Sequence, residues 1–119
     1  MASSYELIQE RSRYYAFKEQ LNQASSKLKD AISVATELRK KVEESYKVDD
    51  ESGDHQAIKK EIENMNNMLR TIDVNLIPNV GNRINTLTHD IQVAEYYEQK
   101  AAEEEAERRR RELENIEIS

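Results

Sequence analysis

Two histidines, an acidic turn and a run of four arginines are the places where this chain could do chemistry. His55 and His89 are the only histidines, and there is no cysteine. Neither histidine has a second one at helical spacing, and thiolate ligands and disulfides are impossible, so no metal site is expected. The acidic stretch from Val48 to Asp54 invites comparison with a calcium loop. Placing Gly53 at the sixth loop position puts Val48 first and Lys59 twelfth, where carboxylates are required. A solvated turn is the expectation instead. The arginines from Arg108 to Arg111 could hold phosphate. However, Glu103, Glu104, Glu105, Glu107, Glu112 and Glu114 surround them, so a solvated charged helix is expected. No glycine-rich phosphate loop or nucleophile motif is present. Carboxylates are plentiful, but nothing suggests the concave, desolvated pocket that acid–base catalysis needs. No catalytic, cofactor-binding or metal residue is assigned. The expectation is a protein that is not an enzyme and takes no small-molecule substrate.

The elements that carry these residues are long helices. Every seventh residue from Leu7 gives Leu7, Tyr14, Leu21, Leu28, Ala35 and Val42, and Phe17, Ala24, Ala31 and Leu38 follow three residues after four of them. This a/d pattern predicts a helix over residues 4–47, roughly 65 Å long at 1.5 Å per residue. Ser3 followed by Glu6 fits a capping box at its start. The seam must be buried against another helix. Residues 48–54 supply a turn, with Gly53 suited to a left-handed conformation and Asp54 to capping the next helix. The second helix is expected over residues 55–100. Its seam runs Ile58, Ile62, Met65, Leu69, Ile72, Leu76, then slips by one residue to Ile77, Val80, Ile84, Leu87, Ile91 and Ala94. Pro78 and Gly81 sit at the slip, so a kink or short break is expected there. A turn centred near Glu51 places residue i opposite about residue 102 − i, which sets Ala24, Ser25 and Ser26 beside the kink. The fold class is therefore all-α: an antiparallel two-helix hairpin over residues 1–100, its second helix kinked near Pro78. A charged tail over residues 101–119 is expected to be helical or disordered, with Glu104, Glu105 and Glu107 each four residues before an arginine.

Composition agrees. Of 119 residues, 35% are charged and 37% hydrophobic, with no Trp and one Phe, which suits a rod with a seam better than a compact globule. A net charge of −6 argues against general affinity for nucleic acid or anionic membrane. No segment approaches a membrane span, and the N-terminus has no apolar run of a secretory leader. Cytoplasmic residence is expected, or export by a route that reads no cleaved leader. Of the seven aromatic residues, only Tyr46 lies near the turn. Tyr5, Ile8 and Tyr15 fall off the Leu7/Tyr14 seam, and the pairing rule brings Tyr97 to the same end. These four are the candidate partner-binding residues, because tyrosine buries ring area while its hydroxyl stays satisfied.

The run from Ser4 to Tyr15, the seam after it and the hairpin pattern resemble the small helical accessory proteins of type VII secretion, a WXG-like group encoded beside LXG toxins. The resemblance implies a non-enzymatic adaptor or targeting chaperone that forms a hetero-oligomer with the helical N-terminal domain of a toxin. The better-known branch has Trp-x-Gly at the turn, of which only Gly53 stands here. Its export signal, Tyr-x-x-x-Asp/Glu after the second helix, is not matched by Tyr96 and Lys100 or Tyr97 and Ala101. The resemblance then implies that an export signal sits on the partner. The alternative expectation is a structural coiled-coil protein that self-assembles, as phage or cytoskeletal components do.

Overall fold

A computed structural model of the chain describes residues 2–46 and 53–118. The turn residues Val48–Ser52 and Lys47, expected to end the first helix, lie outside the described residues. The fold is all-α, an antiparallel hairpin of two helices. The first is α1 (Ser4–Tyr46). The second comprises α2 (Gly53–Arg70), a π-helical stretch (Thr71–Leu76) and α3 (Ile77–Ile118). The chain divides into two compact units. A terminal unit joins Met1–Tyr14 to Arg83–Ser119, and a middle unit spans Tyr15–Asn82.

α1 starts where a capping residue permits. The Ser3 hydroxyl accepts from the Glu6 backbone N–H at 3.2 Å, and the Ser3 carbonyl accepts the first intrahelical bond, from Leu7 N–H at 3.1 Å. Gly53 departs from expectation. It is the first residue of α2 and its backbone lies outside the left-handed region. Asp54 accordingly stands in the first helical turn, where its charge complements the helix dipole, and not at the cap position.

In the middle unit Leu21, Ile62 and Val80 are buried, and Leu28, Ile32, Ala35 and Val42 are half-buried. The seven-residue row of α1 is therefore the seam, but its second row is not the expected one. Phe17 and Leu38 are 43% and 54% exposed, Ala31 is exposed and Ala24 half-buried. Residues four after the row turn inward instead: Ser25 is buried, and Lys18, Ile32 and Arg39 are half-buried. Polar groups on the second helix account for this choice. His55 is fully buried, with Nε2 2.5 Å from Glu43 Oε1. Asp73 accepts from Ser25 Oγ at 2.7 Å and lies 3.7 Å from Lys29 Nζ. Rotating α1 to bury Phe17 and Leu38 would strip His55 of Glu43 and the half-buried Asp73 of Ser25 and Lys29, and hydrogen bonds lost from shielded polar groups are costly.

The slip at Pro78 takes a definite form. The helix is not broken there. Thr71–Leu76 form a π-helical stretch, in which Ile77 N–H donates to the Ile72 carbonyl, five residues back. The widened turn absorbs one extra residue, and so accounts for the one-residue slip between the two halves of the seam. It also removes the close i−4 carbonyl that the Pro78 ring would meet in a regular helix.

Beyond Lys100, α3 continues as helix to Ile118, including Leu113–Ile118, which the sequence leaves without a seam. Arg108 and Arg109 pair with Glu105, and Arg110 and Arg111 with Glu107. Such spacings, in a stretch of good helix formers, sustain an exposed helix without tertiary support.

Candidate docking site

The terminal unit is where aromatic side chains gather, and its polar contacts fix which flank each occupies. Ser4 is held by Glu98 twice: its N–H donates to Oε1 at 2.9 Å and its hydroxyl to Oε2 at 2.6 Å. Arg11 donates to Thr88 Oγ1 at 3.2 Å. These contacts mark one flank of the helix pair. Arg83 reaches Glu10 at 2.9 Å and lies over the Tyr14 ring, 5.9 Å from its centroid, on the other. Ile84, Leu87, Ile91 and Ala94 are buried between the flanks.

Hydrogen bonds from the Ser4 hydroxyl and, second, its backbone N–H hold the Glu98 carboxyl below its ordinary range. A carboxylate depressed in the folded state contributes stability above its unfolded pKa and loses it as pH falls through the folded value. The Ser4 amide resonance should therefore shift with a midpoint below the usual glutamate range, and Glu98→Gln should abolish that titration. A midpoint at the ordinary value would mean that the pair does not persist in solution.

Within the terminal unit, the sequence-nominated Tyr5 and Ile8 stand on one flank and Tyr97 on the other. Tyr5 is 70% exposed and Ile8 half-buried; both sit on the side of α1 that carries Ser4 and Arg11. Tyr97, 54% exposed, stands seven residues after Asp90 and four after Val93, on the opposite flank. Tyr15 is exposed and opens the middle unit. The pairing rule sets residues level with one another but does not say on which flank they project.

Tyr97 instead stands one helical turn beyond a hollow the sequence left unnamed. Ala2, Leu7, Asp90, Val93 and Ala94 line a shallow hollow of about 240 Å³, largely apolar with one carboxylate at its edge. Tyr97 and Tyr96 meet edge to face one turn further on, with centroids 5.4 Å apart and planes at 77°. The signal was available in the spacing: Asp90, Val93 and Tyr97 repeat at three and four beside the buried row Ile91–Ala94. A shallow apolar hollow with two exposed rings one turn further along the helix can accept an apolar side chain from another helix, as peptide-binding grooves do. It holds no constellation of nucleophile and base.

Among the described residues no group of three potential metal ligands comes together, and no helix is long and apolar enough to cross a membrane. No protein-family model, curated protein or solved structure matches this chain.

Proposed function

We propose that this chain is a non-enzymatic helical interaction protein whose working form is a bundle completed by another helical protein. One observation carries this reading. Among the described residues seven hydrophobic side chains are buried, whereas thirteen large ones are exposed, from Tyr5 to Ile116. A hairpin gives each helix only one neighbour, and exposed apolar surface of this extent marks protein contacts. The terminal hollow with Tyr96 and Tyr97 is the proposed seat of the partner. With the resemblance to WXG-like accessory proteins, the finer proposal is a secretion adaptor or targeting chaperone for the helical domain of an LXG-type toxin, acting in the cytoplasm before export.

The test is co-expression with the N-terminal domain of a toxin encoded beside this gene, followed by affinity capture. Tyr96→Ala with Tyr97→Ala should weaken capture by more than about tenfold, or ~1.4 kcal/mol. Helicity should persist, because both rings are more than half exposed. Tyr5→Ala with Tyr15→Ala probes the other flank. Failure of the wild-type chain to capture the domain would sink the toxin-partner reading. The second reading, an open self-assembling coiled-coil component, rests on the same exposed surface. It predicts light scattering that grows with concentration without limit.

A further inference from the structure

The middle unit leaves one flank bare. Asp73 with Ser25 and Lys29 marks the polar flank. On the opposite flank α1 presents Phe17, Ala31 and Leu38, and α2 presents the half-buried Ile58 and Met65. This apolar floor has charged rims. On α1, Lys27, Val34 and Lys41 repeat every seven residues; on α2, Asp54, Glu61 and Met68 do the same. Val34 and Met68 are 69% and 56% exposed. Lys27, Lys41, Asp54 and Glu61 form no ion pair among the described residues. One rim thus carries two lysines and the other two carboxylates, with Glu37 beside Lys41. Val34 and Leu38 also bound a shallow hollow of about 300 Å³ with Lys41 and Glu37 at its edge.

We propose that a second copy of this chain covers this flank, in a closed dimer whose two-fold axis runs parallel to the helices. The contacts Lys29–Asp73, Ser25–Asp73 and Glu43–His55 set residue i level with about residue 100 − i on the other helix. Under that axis each α1 faces the α2 of its partner at the same level. Lys41 then meets Glu61 of the second copy, and Val34 meets Met68, each contact occurring twice. A two-fold perpendicular to the helices and centred at Val34 would set α1 on α1 and juxtapose Lys27 with Lys41, leaving Asp54 and Glu61 without a cation opposite. Like charges disfavour that arrangement, and unlike charges select the first. Burial of the apolar floor drives association; the exposed ion pairs contribute little energy and set the register. Such an interface uses the same patch on both copies, so growth stops at two. The proposal uses only the middle unit and does not depend on the identity of any other partner.

Sedimentation equilibrium of the full chain tests it. A monomer–dimer equilibrium is expected, with no larger species. Leu38→Glu should raise the dissociation constant at least tenfold, and Lys41→Glu several-fold. Lys41→Glu combined with Glu61→Lys should restore dimerisation, which a general loss of folding could not do. As the chain has no cysteine, Val34→Cys and Met68→Cys can be mixed under mild oxidation. The mixture should cross-link, and neither variant alone should. A chain that stays monomeric into the millimolar range, one that grows past a dimer, or a dimer indifferent to Leu38→Glu would overturn the proposal. So would cross-linking of Val34→Cys to itself. Each of these outcomes leaves toxin-domain capture, measured separately, unaffected.

Discussion

Leu87→Asp is expected to unfold the terminal unit. Leu87 is fully buried, the larger of the two side chains with no exposure that counts. A carboxylate there would lose its hydration. Arg83, one turn before it, is already held by Glu10 at 2.9 Å. An unpaired buried charge costs several kcal/mol, against a total stability of about 5–15 kcal/mol for an ordinary domain. Leu87→Ala should cost about 2–5 kcal/mol through lost burial and the cavity left behind. Leu113→Asp, in the exposed extension at 61% exposure, should change stability by less than about 0.5 kcal/mol. Urea titration followed by circular dichroism measures all three. Equal effects from Leu87→Asp and Leu113→Asp would mean that the buried row of α3 is misassigned.

The contrast within α1 shows what periodicity can carry. The row from Leu7 to Val42 was legible because a seven-residue repeat needs no knowledge of the partner. The flanking row was not. Residues three after and four after are equally available to a helix, and Phe17 and Leu38 look better than Ser25 and Arg39 on hydrophobicity alone. His55 and Asp73 on the other helix decided between them, by way of Glu43, Ser25 and Lys29. His55 itself lies three residues before Ile58, so the seam extended one turn back would have named it as core. The candidate docking site was half legible for a related reason. Tyr97 was reached through the pairing rule, but its companions required knowing the flank. Val93 and Asp90 acquire meaning only once Leu7 is seen beside them.

The slip at Pro78 supports the second large prediction. If the π-helical stretch is one inserted residue, removing an exposed residue inside it should convert Thr71–Leu76 to α-helix and leave both halves of the seam in step. Asn75 is exposed within that stretch. Its deletion makes the spacing of Ile72, Ile77, Val80 and Ile84 four, three and four, the uninterrupted seam pattern. Pro78 would then meet the carbonyl four residues back in a regular helix, at a cost of about 3 kcal/mol. Deletion of Asn75 alone should therefore destabilise the chain by about that amount, whereas deletion combined with Pro78→Ala should restore or exceed the parent stability. Deleting Asn85, also exposed, gives the opposite result. It rotates Leu87, Ile91 and Ala94 by about 100° off the seam while Val80 and Ile84 stay in place. No widened turn lies between them to absorb the change, so cooperative unfolding should vanish. Thermal melts of the three deletion variants decide the matter. If the Asn75 deletion with Pro78→Ala melts as broadly as the Asn85 deletion, the π stretch is required by the fold, and its Asp73–Ser25 contact, not the residue count, is what the helix pair depends on.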